Sequence, residues 1–329
     1  MIEFALSRRE ALRTIGGTLL GGVATTWVSP AAPADEPAEN VPIIDAHIHL
    51  VDSRLPGAFD RTIALAPFDK DDRKGPARLA KAYQDEAKAA GIAQGLCMPR
   101  LQISDKDPLG IEDTLALIKL VRGPNLHPVG LAHPERFDQD HLTRVEEVLK
   151  QGRVKALKGY LGYLHYEPLS PGYRRYFKLA AKYQIPVILH CGDTYSKTAK
   201  LKYAHPLLVD EVAVDYPDTK FVIAHAGNPW LMDTAQVMYK NDNVWADLSA
   251  ILIGDTKAFA AMEKDGVLDR TAKRIQEAID YTEAPERFLF GSDWPLTPMV
   301  AYRDFVRRIF PDKLHAAVFR GTAKALFGL

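Results

Sequence analysis

The chain is poor in cysteine, has no net charge, and lacks long apolar runs beyond its first 34 residues. Its two cysteines, Cys97 and Cys191, lie inside apolar segments, so buried thiols are a better interpretation than a disulfide framework. The 42 basic residues balance the 42 acidic ones, which argues against nucleic acid or an anionic membrane as the main partner. Nothing after residue 34 is apolar for long enough to span a bilayer. With 47% hydrophobic residues among 329, the chain can still bury a large core.

The first 34 residues have the features of an export signal. The sequence SRREAL at residues 7–12 resembles a twin-arginine motif, a weakly apolar stretch follows, and APA at residues 32–34 offers a small-x-small cleavage site. We therefore predict a twin-arginine-type signal peptide over residues 1–34, read by the twin-arginine (Tat) export machinery and cleaved after Ala34. The mature protein, residues 35–329, would be periplasmic or secreted, without stable membrane association. An amphipathic helix or an uncleaved anchor is the alternative.

Short apolar segments alternate with longer segments of helical periodicity in the remainder. The predicted strands are residues 42–50, 93–98, 127–132, 154–161, 186–191, 221–226, 244–249 and 287–292. The predicted helices include residues 76–90, 111–121, 140–151, 172–184 and 206–216. Strands that are mostly apolar on both faces and are followed by helices indicate a parallel sheet covered by helices. Their number and the chain length predict an α/β fold, the (β/α)8 TIM barrel. A doubly wound open sheet usually carries a glycine-rich phosphate loop after its first strand, and this sequence has none there.

The first predicted strand ends in two histidines, His47 and His49. Side chains alternate along a strand, so both should point to one face, with Asp45 below them. Two imidazoles in this arrangement can share one metal ion. A hydrogen-bonded pair of histidines in a core or on a surface would give the same pattern. The later strands therefore decide between these interpretations.

Four later strands also end in polar residues: Lys158, His190, His225 and Asp293. The working residues of a TIM barrel lie at the carboxyl ends of its strands, so we expect these side chains to converge with the first two histidines. Histidine is scarce, at 10 residues in 329, which makes chance a poor explanation for four of them at strand ends. The remaining histidines are expected to be structural or at the surface (His127, His141, His205, His315) or near the pocket mouth (His133, His165).

The combination of His47-x-His49, His190, His225 and the sequence GSDWP at residues 291–295 resembles the amidohydrolase superfamily, in particular its amidohydrolase 2 group of metal-dependent hydrolases. The similarity runs from about Val41 to the C-terminus and includes HAGNPW at residues 225–230. The resemblance implies one divalent metal ion, most often Zn²⁺, held by His47, His49, His190 and Asp293. It also implies that His225 acts as a general acid or base and that Asp293 accepts a proton from water.

Lys158 leaves a second arrangement open. In the binuclear branch of the superfamily a lysine on this strand is carboxylated and bridges two metal ions, which here would recruit His190 and His225. A salt bridge at the barrel rim is the structural alternative for Lys158. Candidate substrate contacts are Arg100, Lys158 and Tyr160. The planar fork of Arg100 would suit a substrate carboxylate. The polar loop at residues 51–75 is a candidate lid.

These observations predict a metal-dependent hydrolase that acts on a small-molecule carbonyl substrate such as an amide, lactone or ester. The first alternative is a zinc-dependent decarboxylase of an aromatic or unsaturated acid, in which Arg100 would matter more. The second is an exported barrel that binds metal or ligand without catalysis. A homodimer is also expected, because barrels of this kind often pair.

Overall fold

The computed structural model describes residues 41–50 and 74–329. The predicted signal peptide, residues 1–34, and residues 51–73 of the candidate lid loop lie outside this part of the chain and stay predictions. No helix in the described residues is both long and apolar enough to cross a membrane.

Short parallel strands form the centre of the fold. The strands in the described residues are β1 (Ile43–Ile48), β2 (Ile92–Cys97), β3 (Asn125–Pro128), β4 (Gly130–Leu131), β5 (Leu157–Gly159), β6 (Val187–Leu189), β7 (Phe221–Ile223), β8 (Val244–Asp247) and β9 (Phe288–Leu289). They pair in chain order as β1-β2-β3 and as β4-β5-β6-β7-β8-β9. β3 and β4 are two parts of one barrel strand, because Val129 between them donates its N–H to the Cys97 carbonyl oxygen at 2.9 Å. Each of the eight predicted strands is present.

The segment that follows β9 lies beside β1. Ala46 N donates to Phe290 O at 2.9 Å, and His49 N donates to Trp294 O at 2.8 Å. A parallel bridge between Ile48 and Trp294 marks the same junction. Parallel strands joined by helices in strict chain order are the (β/α)8 TIM barrel that the sequence predicts.

Helices follow most strands and cover the outside of the barrel. They are α1 (Gly75–Ala90), α2 (Glu112–Ile118), α3 (Gln139–Lys150), α4 (Pro171–Tyr183), α5 (Leu207–Asp215), α6 (Leu231–Lys240), α7 (Thr256–Lys264), α8 (Val267–Thr282), α9 (Met299–Ile309), α10 (Asp312–Ala316) and α11 (Thr322–Phe327). Local sequence explains several ends: Asp138 caps α3 by accepting from His141 N at 2.9 Å, and proline occupies the first turn of α1 and α4.

The barrel interior is an apolar layer with a polar layer above it. One buried cluster takes side chains from around the ring and is closed from below by the C-terminal helix: Ile44, Ala46, Leu96, Met98, Val129, Ala156, Ile188, Val222, Ala224, Leu289, Ala323, Leu326 and Phe327. Two residues further along β5 and β6, on the same face, come Lys158 and His190. The site residues therefore lie directly above a packed apolar layer.

A shift in register at β1 changes which face its last residues occupy. The pairing of β1 with β2 is irregular between Asp45 and Ile48. Ile44 belongs to the interior cluster, whereas Ile48 packs in the outer core with the helices. Because of this shift His47 and His49 face the interior, and the expectation that Asp45 lies below them on that face was wrong. Asp45 instead bonds to Ser292.

Two strands are shorter than the sequence predicts, because each is followed by a turn that contains a left-handed residue. β7 ends at Ile223 and a 3₁₀ turn follows, in which His225 has a left-handed φ of 58°. β9 ends at Leu289, and Asp293 has a left-handed φ of 55°. Non-glycine residues in this region carry strain of about 1–3 kcal/mol, which clusters at functional sites.

Candidate active site

Three side chains converge where the last strand meets the first. Asp293 Oδ1 lies 3.2 Å from His49 Nε2 and 3.8 Å from His47 Nε2. The potential ligand atoms of these three residues all lie within 4.8 Å of one another. The side chains of His47 and Asp293 are buried, whereas 18% of the His49 side chain is exposed. Solvent therefore reaches the cluster past His49.

The backbone around Asp293 is fitted closely to β1. Asp293 N donates to the His47 carbonyl oxygen at 2.8 Å. Two residues earlier, a Cβ atom at Gly291 would lie 3.0 Å from the Cβ atoms of His47 and Ser249. Contacts this short are rare for a Cβ atom, so glycine lets the chain after β9 approach the histidine strand without displacing its neighbours.

Two carboxylates outside the cluster hold the same segment. Asp45 accepts hydrogen bonds from Ser292 N at 2.9 Å and from Ser292 Oγ. Glu86 on α1 accepts from Trp294 Nε1 and from the first backbone N–H of α9, each at 3.2 Å. The residues on both sides of Asp293 are thereby fixed to neighbouring elements.

His190 and His225 face each other on the other side of the site. His190 Nδ1 lies 3.2 Å from His225 Nε2. His190 Nε2 lies 3.0 Å from the Asp193 carbonyl oxygen, and His225 Nδ1 lies 3.1 Å from the Ser249 carbonyl oxygen. Carbonyl oxygens only accept, so those outer nitrogens carry the hydrogens and the two facing nitrogens present lone pairs when both rings are neutral. Such a pair can share one proton or bind a cation.

Asp247, at the end of β8, connects the two sides. Its Oδ2 lies 3.0 Å from His47 Nδ1. Its Oδ1 accepts from His225 N and from Ser249 N, each at 3.0 Å, and also from Ser249 Oγ. Sequence reasoning missed both Asp247 and Ser249, although an acidic residue ends the apolar segment Val244–Asp247. Asp247 lies at the end of β8, where the other site residues lie on their own strands.

The substrate-contact candidates lie beside this cluster in different environments. Lys158 is fully buried, with Nζ 3.4 Å from His47 Nε2, so it lies inside the site and not at the barrel rim. The Tyr160 ring centroid lies 6.5 Å from that of His49, and its hydroxyl donates to the Pro99 carbonyl oxygen at 2.6 Å. Arg100, the next residue, lies 3.6 Å from Asp113 and is partly exposed.

Histidines outside the predicted metal site occupy structural or peripheral positions. His141 is buried and bonds to the Tyr176 hydroxyl, and His315 bonds to the Phe310 carbonyl oxygen. His127 meets Gln94 inside the other end of the barrel. His165 lies 3.0 Å from the Thr198 carbonyl oxygen.

Burial keeps His49, His190 and His225 neutral near pH 7. It lowers the pKa of His49 to about 3, against the attraction of Asp293. It also lowers the pKa of His225 to about 4, and it lowers that of His190 well below its usual value. Neutral imidazole is the form that binds a metal ion.

Burial acts in opposite directions on the pKa values of the carboxylates and of the lysine, yet the pKa of each is lowered. Burial would raise the pKa of Asp293, but the nearby His49 and His47 rings outweigh it and hold that pKa below its usual value. The pKa of Asp247 is likewise lowered, because His47 outweighs burial. Burial lowers the pKa of Lys158 to about 8, with Asp247 and Asp293 opposing it.

The chemistry of these atoms fits a divalent ion at His47, His49 and Asp293. Asp293 Oδ1 is buried and has no hydrogen-bond partner within the described residues, and a buried anionic oxygen without a partner is costly unless a cation meets it. Two imidazoles and one carboxylate are ligands that Zn²⁺ accepts. The predicted fourth ligand, His190, does not lie in this group and faces His225 instead.

A second group of potential ligand atoms consists of His47, His225 and Asp247. Its atoms already bond to one another and to Ser249, as described above. This group is therefore satisfied without an ion, in contrast to the group that contains Asp293.

A family model described as amidohydrolase matches residues 44–329. No curated protein matches the chain. The match extends over the whole barrel and includes all the site residues named above.

Several solved structures share the fold. An amidohydrolase from Burkholderia multivorans with bound Zn is 14% identical, with a TM-score of 0.58, and the match covers 87% of this chain and 99% of that one. A 5-carboxyvanillate decarboxylase from Sphingomonas paucimobilis is 13% identical, with a TM-score of 0.57 and coverage of 88% and 99%. A probable 2-pyrone-4,6-dicarboxylic acid hydrolase from Acinetobacter baumannii is 14% identical, with a TM-score of 0.54 and coverage of 88% and 100%. At these identities the similarity shows the fold alone.

Proposed function

Since this chain belongs to the amidohydrolase family, whose model matches residues 44–329, we propose that it is a metal-dependent hydrolase acting on a small amide, lactone or ester. The observation that carries the proposal is the convergence of His47, His49 and the unpartnered Asp293 Oδ1. A divalent ion held there would polarise a substrate carbonyl and make water a better nucleophile near pH 7.

The residues on the other side of the site can handle the proton that hydrolysis moves. His225 Nδ1 faces a carbonyl oxygen, so Nε2 is the atom that accepts and returns a proton. His190 Nδ1, 3.2 Å away, can share that proton and stabilise the charged ring. Asp293 Oδ2, 4.0 Å from His225 Nδ1, attracts the same positive charge. This arrangement suits general acid–base catalysis at the leaving group.

Metal analysis of the purified protein tests the proposal first. About one tightly bound divalent ion per chain supports a site at His47, His49 and Asp293. Two ions per chain would favour the binuclear alternative, with the facing nitrogens of His190 and His225 on the second ion and Lys158 between the sites. Protein that folds in metal-replete medium and binds no divalent ion would overturn the mechanism.

A substrate panel then tests the reaction. Metal-loaded protein should hydrolyse at least one member of a panel of lactones, amides and esters, and dialysis against a chelator should abolish the activity. His225→Gln is the matched control for chemistry at the site. A hydrolysis rate that is unchanged in both the chelated protein and this variant would show that the reaction arises elsewhere.

Decarboxylation of an aromatic or unsaturated acid is the second candidate function. The buried Lys158 ammonium beside His47 provides positive charge for a substrate carboxylate. The planar fork of Arg100, which lies partly exposed near Asp113, would suit the same group. Measurement of CO₂ against ring-opened acid separates the two reactions. If neither product forms across lactone, amide and aromatic-acid panels, both proposals fail.

We also propose that residues 1–34 direct export through the twin-arginine machinery. The support is the SRREAL sequence followed by an apolar stretch and APA. A fusion of these residues to a reporter should reach the periplasm, and Arg8→Lys with Arg9→Lys should retain it in the cytoplasm. Export of the double variant at the original rate would contradict the proposal.

We propose further that two copies of the mature chain associate. The support is the general tendency of such barrels to pair, and light scattering on the purified protein tests it. A mass near that of one chain at micromolar concentration would overturn it.

A further inference from the structure

We propose that Asp247 is a positioning residue whose carboxylate fixes the tautomer of His47, so that Nε2 carries the lone pair that faces His49 and Asp293. The inference deepens the proposed function, because it explains how the chain prepares His47 as a metal ligand. Its central test is carried out on metal-free protein, so it stands or falls independently of any reaction.

The hydrogen bond between Asp247 and His47 has a defined direction. Asp247 is fully buried at the end of β8, and its Oδ2 lies 3.0 Å from His47 Nδ1. An ionised carboxylate only accepts hydrogen bonds, so His47 Nδ1 carries the hydrogen. A neutral imidazole has one N–H, which leaves the lone pair on Nε2. That atom is the one 3.8 Å from Asp293 Oδ1.

Three hydrogen bonds keep the Asp247 carboxylate from rotating freely. Asp247 Oδ1 accepts the backbone N–H groups of His225 and Ser249, each at 3.0 Å, and the Ser249 hydroxyl. One of these donors is the backbone N–H of the left-handed residue His225, and the other two belong to Ser249. They lock Oδ1 on one side, so Oδ2 must face His47.

The hydrogen bonds around Asp247 oppose a ligand role for this residue in a second ion site. His47, His225 and Asp247 do offer three nearby atoms. However, His225 Nδ1 faces the Ser249 carbonyl oxygen at 3.1 Å and must keep its hydrogen there. An ion on Asp247 Oδ2 would also displace the His47 N–H. The hydrogen-bonded arrangement satisfies every one of these atoms without an ion.

Asp247→Asn should reverse the tautomer of His47. The two backbone N–H groups need an acceptor, so the amide oxygen takes the place of Oδ1 and the NH₂ group faces His47 Nδ1. That NH₂ group donates, which moves the ring hydrogen to Nε2 and turns an N–H toward Asp293. Zinc affinity should then fall about 10- to 100-fold, the usual effect of losing an outer partner of a metal-bound histidine.

The experiment measures the tautomer and the affinity separately. Long-range ¹⁵N–¹H spectra of metal-free, histidine-labelled full chain report which ring nitrogen carries hydrogen, and His47→Gln assigns the signal. Competition of Zn²⁺ with a chromogenic chelator gives the affinity. We expect an Nδ1–H tautomer in the wild type and an Nε2–H tautomer with weaker binding in Asp247→Asn. The control Asp138→Asn makes the same change at the cap of α3, outside the site, and should keep the wild-type tautomer and affinity.

Three outcomes would overturn the proposal. One is an Nε2–H tautomer of His47 in the wild-type protein, a measurement that requires no folded variant. Another is wild-type zinc affinity in a folded Asp247→Asn protein. The third is loss of one of two bound ions in that variant with the tautomer unchanged, which would make Asp247 a ligand. Circular dichroism melting of each variant establishes that it is folded.

Discussion

The two sides of the site differ in what their atoms lack. The carboxylate side, His47, His49 and Asp293, contains a buried anionic oxygen without a hydrogen-bond partner in the described residues. The histidine-pair side, His190 and His225, contains two facing nitrogens that one shared proton would satisfy. A cation would satisfy the oxygen on the carboxylate side, whereas a proton is sufficient on the histidine-pair side. In the proposed function, metal binding and proton transfer are therefore divided between the two sides.

Removal of the carboxylate should produce the largest effect. In Asp293→Ala the anionic oxygen that attracts the ion is lost, so bound metal should fall to near background and hydrolysis should become undetectable. Elemental analysis and the substrate panel measure both. Bound metal at the wild-type level in this variant would show that the ion lies elsewhere, and the comparison between the sides would fail.

Replacement of the His225 ring should leave metal binding unchanged. We expect His225→Gln to lose about 10²- to 10⁴-fold in kcat, the usual contribution of a general acid or base, with metal content unchanged. His190→Gln is the matched variant on the same side. A fall from two ions to one in either protein would instead assign a second ion to the histidine-pair side.

A methyl group at Gly291 should disturb the carboxylate side through packing. The added Cβ would lie 3.0 Å from the Cβ atoms of His47 and Ser249, so Gly291→Ala should destabilise the protein by about 1–3 kcal/mol and also weaken metal binding. Denaturant unfolding and zinc titration measure the two effects.

Gly130→Ala provides the control, because its Cβ would lie 3.0 Å from Leu109 Cδ1, away from the site. We expect similar destabilisation there without a change in zinc affinity. Equal zinc affinity in both variants would mean that the fit of Gly291 against His47 has no bearing on the ion.

Loss of the Glu86 charge should have the smallest effect and act on the carboxylate side alone. Glu86 accepts from Trp294 Nε1 and from the first N–H of α9, so Glu86→Gln should cost about 1–2 kcal/mol and lower kcat a few-fold through Asp293. The exposed neighbour Asp85, paired with Lys81 on the surface, gives the control Asp85→Asn, which should change little. A variant Glu86→Gln that matches this control in stability and kcat would remove Glu86 from the support of the site.

Strand-end reasoning predicted much of this arrangement because the period of a strand is regular. Lys158 and His190 follow interior apolar residues two positions earlier, and both lie in the polar layer of the barrel. The same regularity would have identified Asp247. It failed for Asp45, because a register shift in β1 reverses the faces within the strand, and no pattern of hydrophobic residues shows such a shift.

The protonation pattern of the site was beyond the reach of sequence. That His190 faces His225 depends on the Asp193 and Ser249 carbonyl oxygens, which fix the hydrogens on the outer nitrogens. These contacts join residues of different loops. The assignment of His190 as a fourth ligand of the first ion remains a prediction.

By itself the sequence determined the (β/α)8 barrel, because alternating apolar strands and helices can bury their surfaces in few other ways. It also determined which strand ends carry histidine, lysine and aspartate. Only the tertiary structure decided how these side chains are oriented. The left-handed turns at His225 and Asp293, the close approach at Gly291 and the bonds of Asp247 are contacts between distant segments. The physical reason is that local pattern reports burial, whereas the direction of a lone pair depends on partners that only folding brings together.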